Sequence, residues 1–242
     1  EFEPQGIANT AWSLAALQLL HAPLLESLSA QARSKRREFV PLSIASTAWS
    51  FASLGFSDIP LMDALAASAI PKLPEFSAQA FANTPWAYAR FHLKSPPLLD
   101  AIAAAAIRPI PSFEPQHLAN TSWAVATLAK RSHGPLLEAL AAEALAKLDD
   151  FSAQGLANLA WACDSSRRTP ALLAALGSPV QQQFMRVECR ADAVNLVDFG
   201  NATLGFRSGS AAEALRERLL EPLVRRLAAL SVRAGGGGGG GA

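Results

Sequence analysis

Asparagine at Asn9, Asn83, Asn120 and Asn158 and glutamine at Gln5, Gln79, Gln116 and Gln154 recur in one register, with steps of 37, 38 or twice 37 residues. A primary amide presents a donor and an acceptor side by side, so it can pair with the edge of a nucleobase. One such reader per helical repeat is a way of recognising single-stranded RNA. The same amides admit a second use: if they are buried between repeats they must bond to a neighbouring helix instead. Small or uncharged residues accompany them. Gly6, Ser13 and Ala16 do so in the first copy, Leu42, Ser43, Ser46, Ser50 and Ser53 fill the second, and Ala80, Ala87 and Arg90 the third. His117, Ala124 and Thr127 follow in the fourth, and Gly155, Ala162 and Ser165 in the fifth.

A basic residue also recurs, at Lys35, Lys72, Arg108 and Lys147, four or five residues ahead of a phenylalanine, and Arg33, Arg36 and Arg37 thicken the first of these. Cations at this period can follow a phosphate backbone. They can equally complement the negative end of a preceding helix. Lys35, Arg36, Lys72, Arg108 and Lys147 are the candidate phosphate contacts. Catalysis finds no foothold: His21, His92, His117 and His133 occupy unrelated slots, no nucleophile motif occurs, and Cys163 and Cys189 lack metal-ligand spacing. The chain is expected to be no enzyme and to carry no catalytic residue, no metal, no cofactor and no small-molecule substrate.

The elements that must position these residues come from two landmarks. All five tryptophans, Trp12, Trp49, Trp86, Trp123 and Trp161, are spaced 37, 37, 37 and 38 residues apart, and Phe2, Phe39, Phe76, Phe113 and Phe151 each stand ten residues earlier. A fixed period of this size means stacked supersecondary units. After each Phe the segment begins like a helix: Ser77 and Ser152 are good N-caps, Pro4, Pro41 and Pro115 suit the first position, and Val40 is a weak cap. The Phe then staples onto Ile7, Ile44, Phe81, Leu118 or Leu156. This first helix, A, should run about four turns. A break is expected at Pro23, Pro60, Pro97, Pro135 and Pro170, followed by an alanine-rich helix B. Each Phe and each Trp is expected in the core, the Trp at the flank of helix A. Pro85, inside a helix A, should bend its repeat.

The predicted architecture is all-α, a right-handed α-solenoid of tandem 37–38-residue helix-turn-helix repeats. Five intact units fill residues 1–178, at about 2–38, 39–75, 76–112, 113–150 and 151–178. A degenerate sixth unit with a C-terminal cap helix is expected over 179–233, where Phe199 replaces the tryptophan and Arg216, Arg218, Arg225, Arg226 and Arg233 make the end polar. Residues 234–242 read as a glycine-rich flexible tail.

Composition narrows the classes further. Half of the 242 residues are hydrophobic, enough for a long core, but no apolar run is long enough to span a membrane. The chain reads as soluble. A net charge of +1 leaves a local basic stripe possible on a nearly neutral protein. Two cysteines point to a reducing compartment. The chain opens at Glu1 without methionine, so it reads as a fragment or processed product whose targeting peptide is missing.

The repeated pattern F-x-P-Q-x-L-A-N-T-x-W-A-x-A-x-L, seen in FEPQGIANTAW, FSAQAFANTPW, FEPQHLANTSW and FSAQGLANLAW, resembles the octotricopeptide and heptatricopeptide repeats of organelle proteins and those of FAST-kinase-like proteins. It covers residues 2 to about 176 well and extends weakly to about 233. The resemblance implies an α-solenoid that binds organellar single-stranded RNA, in mitochondrion or chloroplast. It implies work in transcript stabilisation, processing, splicing, ribosomal RNA maturation or translation, beside other RNA-processing proteins. Many relatives end in a nuclease-like RAP domain, whose strands do not show here after Leu176. The rival reading is a protein-interaction scaffold, since solenoids also bind peptides or partner domains along one face.

Overall fold

The computed structural model describes residues 2–129 and 132–166. The expected sixth unit, the glycine tail, Cys189 and the end of the fifth repeat lie outside the described residues. Within them the chain is all-α, with nine helices and no strand. The A helices are α1 (Pro4–Ala16), α3 (Pro41–Ser53), α5 (Ala78–Arg90), α7 (Pro115–Ala129) and α9 (Ala153–Ser166). The B helices are α2 (Ala22–Ser34), α4 (Ile59–Ala69), α6 (Pro96–Ala106) and α8 (Gly134–Ala146). None of these is long and apolar enough to cross a membrane.

Helix starts follow the local chemistry of the sequence. Ser77 and Ser152 accept from the backbone N–H of Ala80 at 3.2 Å and Gly155 at 3.1 Å, satisfying donors that the first turn leaves open. Glu3 and Val40 make no side-chain cap bond, and there a proline in the first position takes over. The prolines expected to break the hairpin fall inside helix B instead. Pro23, Pro60 and Pro97 occupy its first turn, where a missing N–H costs nothing. Capping of those helices comes from His21, whose Nδ1 accepts from the Leu24 N–H at 3.2 Å, and from Asp58, which accepts from that of Leu61 at 2.9 Å. Pro85 is buried and α5 runs through it without interruption.

The first three A helices end on a residue with positive φ: Gln18 (52°), Gly55 (69°) and His92 (54°). In the first of them the Leu19 N–H reaches back to the Leu14 carbonyl and that of Gln18 to the Ala15 carbonyl, the paired bonds of a left-handed C-terminal cap. Only Gly55 announces this in sequence. Short 3-10 turns at Arg36–Glu38, Ile70–Glu75, Ile110–Ser112 and Leu148–Asp150 then carry the chain from each B helix to the next Phe landmark.

Stacking runs mainly through the A helices: α1 packs on α3, α3 on α5, α5 on α7 and α7 on α9, while the B helices touch their neighbours more sparsely. The cause is side-chain size. Alanines at Ala8, Ala45, Ala82 and Ala119, and again at Ala15, Ala52, Ala89 and Ala126, are buried where the backbones meet. A Cβ added to Gly155 would stand 3.2 Å from a Phe151 ring carbon. Phe39, Phe113 and Phe151 are fully buried, and the Phe76 and Phe81 rings lie 5.4 Å apart, as a staple requires. Phe81 also stacks on Phe113 of the next repeat at 6.3 Å. Phe2 departs from the pattern at 45% exposed, because α1 has an A-helix neighbour on one side only.

Tyr88 ties two repeats together: it is buried in α5 and its hydroxyl donates to the Met62 carbonyl of α4. Burial first, and the nearby Asp63 charge second, push the phenol far above its ordinary value. A folded-state value above the unfolded one stabilises fully below the unfolded pKa, near 10, and that contribution is lost as pH rises towards the folded value. Stability is therefore expected to fall above about pH 10, together with a phenolate absorbance step. Tyr88 is the single tyrosine of the chain, so that step has one source. A phenolate signal that titrates near 10 while the fold persists would contradict this burial.

Candidate nucleic-acid interface

On a helix turning about 100° per residue, positions i, i+4, i+7 and i+11 fall within about 60° of one another. In α1 these positions are Gln5, Asn9, Trp12 and Ala16. The amides and the tryptophan therefore share one face. Gln5, Gln79, Gln116 and Gln154 are exposed, as is Asn9, and Asn83, Asn120 and Asn158 are half-buried. None of these eight side chains is hydrogen-bonded to another residue in the described structure. The cross-repeat amide ladder, one of the two open readings, does not form. Ser46, which replaces Asn in α3, is half-buried beside them, and Arg90, Thr127 and Ser165 lie further along the same stripe.

The tryptophans lie at the margin of the core, and Trp86 and Trp161 pack against it. Trp12 is 52% exposed, whereas Trp49, Trp86, Trp123 and Trp161 are partly buried. The expected burial fails at Trp12, whose helix has an A-helix neighbour on one side only. In the later repeats the ring is part covered at the edge of the amide stripe, because the slots that turn into the helix-helix contact hold alanine. Trp123 and Trp161 of successive repeats stand 6.3 Å apart in tilted contact. Trp49 and Trp86 line an open groove of about 590 Å³ together with Gln116, Asn120, Gln154 and Asn158. Glu114 and Asp150 stand in its wall, so the groove offers neutral donors, acceptors and apolar rings with some negative charge.

Several expected contact residues have other work. Ser43 and Ser50 are buried at 2% and 0% exposure, because their slots face the neighbouring A helix, and the Ser50 hydroxyl donates to the Ser46 carbonyl at 2.7 Å. Ser13 and Thr127 likewise donate to carbonyls four residues back, those of Asn9 and Trp123. His117 accepts, through Nδ1, the Glu114 backbone N–H at 3.2 Å and packs edge-on to Phe113, so it caps its own helix. Burial lowers its pKa against the opposing pull of Glu114, which suits an imidazole that accepts.

The lysines are spoken for as well. Lys72 donates to the carbonyls of Arg37, at 3.0 Å, and Phe39, and Lys147 to those of Pro111 at 3.1 Å and Phe113 at 2.8 Å. Each thus clamps the 3-10 turn one repeat earlier, satisfying carbonyls that no helix bonds. Lys147 is also paired with Glu143 at 2.8 Å, and Lys35 with Glu3 at 3.3 Å. Arg108 stands one residue out of that register, is exposed and makes no clamp, and the Arg36 side chain is likewise exposed. Of the five candidate phosphate contacts, these two arginines remain without a structural partner in the described structure. Lys147→Met is expected to cost about 1–2 kcal/mol, the scale of a partly exposed hydrogen bond to a charged donor, as read by urea melts. An unchanged melt would return Lys147 to the list of free cations.

What the fold and this face define is a helical-repeat protein whose exposed A-helix stripe carries amides and aromatic rings. The chain belongs to a family described as RNA-editing substrate-binding complex 6 protein, whose model matches residues 1–192. No curated protein matches it.

Proposed function

We propose that the chain binds single-stranded RNA along the A-helix stripe and acts by binding, without catalysis, in post-transcriptional RNA metabolism. The observation that carries this is the set of eight Gln and Asn side chains, in register on one face and unbonded to the protein. An amide held at an exposed, fixed position with no internal partner is available to a base edge. Membership of a family named for an RNA-editing substrate-binding complex supports RNA and protein partners alike. The readers are Gln5, Asn9, Ser46, Gln79, Asn83, Gln116, Asn120, Gln154 and Asn158, with Arg90, Thr127 and Ser165 beside them.

Stabilisation, processing, splicing, ribosomal RNA maturation or translation of transcripts in a mitochondrion or chloroplast, and kinship with octotricopeptide and FAST-kinase-like repeats, are the finer roles that the repeat pattern supports. The A layer on the inner side of a right-handed superhelix is part of the same proposal. Ultraviolet crosslinking followed by sequencing tests it: recovery of defined RNA segments from the wild-type protein is expected. Recovery of no RNA above an unrelated helical-repeat control would move the reading to a protein scaffold.

A further inference from the structure

We infer that the tryptophan row is a base-stacking platform, and that it, more than charge, supplies the affinity for RNA; this rests on the RNA-binding reading above. Two aromatic landmarks recur with the same period, and they part company in the fold. Phe39, Phe113 and Phe151 are buried to 1% exposure or less, whereas Trp12 is exposed and the other four tryptophans are only partly buried. A tryptophan buries on the order of 150–250 Å² when it enters a core. Incompletely buried copies forgo part of that gain, and do so in register on one stripe. The rings are not scattered: Trp123 touches Trp161, and Trp49 and Trp86 open into the amide-lined groove.

Charge is a poor alternative source of affinity at this place. Glu114 and Asp150 stand in the groove wall, and the repeated lysines are engaged with carbonyls or carboxylates elsewhere. Every base has a π-face, so a ring beside an amide divides the labour. The ring holds any base, and the Asn three residues earlier on the same helix face reads its edge. Binding should accordingly depend only weakly on salt, because few counterions are released.

All five tryptophans lie on this stripe, so emission excited selectively at tryptophan reports on it. The wild-type chain is titrated with short oligouridylate, oligoadenylate and crosslink-derived RNA, following emission and, separately, filter retention. Expected are quenching by all three RNAs and a loss of about 5- to 100-fold in retention for Trp86→Ala or Trp123→Ala on every sequence. Trp86→Phe should recover part of that loss, and thermal melts show whether each variant is folded. RNA retained with emission unchanged, or by folded alanine variants at wild-type affinity, overturns the stacking platform while RNA binding stands. Absence of retention by the wild type overturns both. Quenching by a partner protein and by no RNA assigns the stripe to protein docking.

Discussion

Phe113→Ala is expected to cost about 3–5 kcal/mol, and Trp123→Ala less, because Trp123 is only partly buried. Phe113 has no exposed surface, stacks on Phe81 of the preceding repeat, packs against His117 of its own, and its carbonyl receives Lys147 from the end of the same repeat. Truncation opens a cavity at a point where neighbouring hairpins meet, and partial collapse recovers little of the lost contact. In a linear array each unit contacts only its neighbours, so one failed interface divides the stack. Urea melts of Phe113→Ala should therefore show a lower midpoint and a broader or biphasic transition. Trp123→Ala should lower the midpoint by less. A single sharp transition at the wild-type midpoint for Phe113→Ala would mean that the phenylalanine is no interface residue.

The contrast between these two rings marks how far the sequence was legible. Period, helix positions, capping serines and the phenylalanine staple follow from local rules that tertiary packing did not override. The side of helix A on which Trp12 and its equivalents lie depends on which slots face the next helix, and a single repeat holds two plausible answers. Smallness was the available signal. Gly6, Ser43, Ala80 and Gly155, and likewise Ser50, Ala87, Ala124 and Ala162, read as an uncharged solvent arc, whereas in the later copies their size serves the close approach of the A helices. Moving those two slots into the interface brings the tryptophan onto the amide stripe. The lysine clamp was less accessible: Lys72 and Lys147 satisfy carbonyls of 3-10 turns, and neither the turns nor those carbonyls have a residue signature. Gln18 and His92 hide their left-handed caps for the same reason, since only Gly55 among the equivalents is a glycine.

Exchanging Asn83, Asn120 and Asn158 together for alanine is expected to weaken binding to the RNA recovered by crosslinking about 100-fold, at roughly 1 kcal/mol for each lost base-edge contact. Thermal stability should stay close to wild type. The three amides are half-buried, and no protein group bonds to them, so truncation leaves no orphaned partner and little cavity. Alanine also favours the helix over asparagine, which offsets part of any packing loss. Against non-cognate RNA the same variant should bind nearly as the wild type does, because a missing reader removes discrimination and leaves the aromatic strip in place. Repeat 2 supplies an internal control, since Leu42 and Ser46 stand where the others carry Gln and Asn. Ser46→Ala should thus cost much less than any single Asn change. The decisive measurement is the ratio of cognate to non-cognate affinity: a ratio that survives the triple exchange places sequence reading elsewhere on the molecule, and a fall in melting temperature with affinity intact makes the amides structural after all.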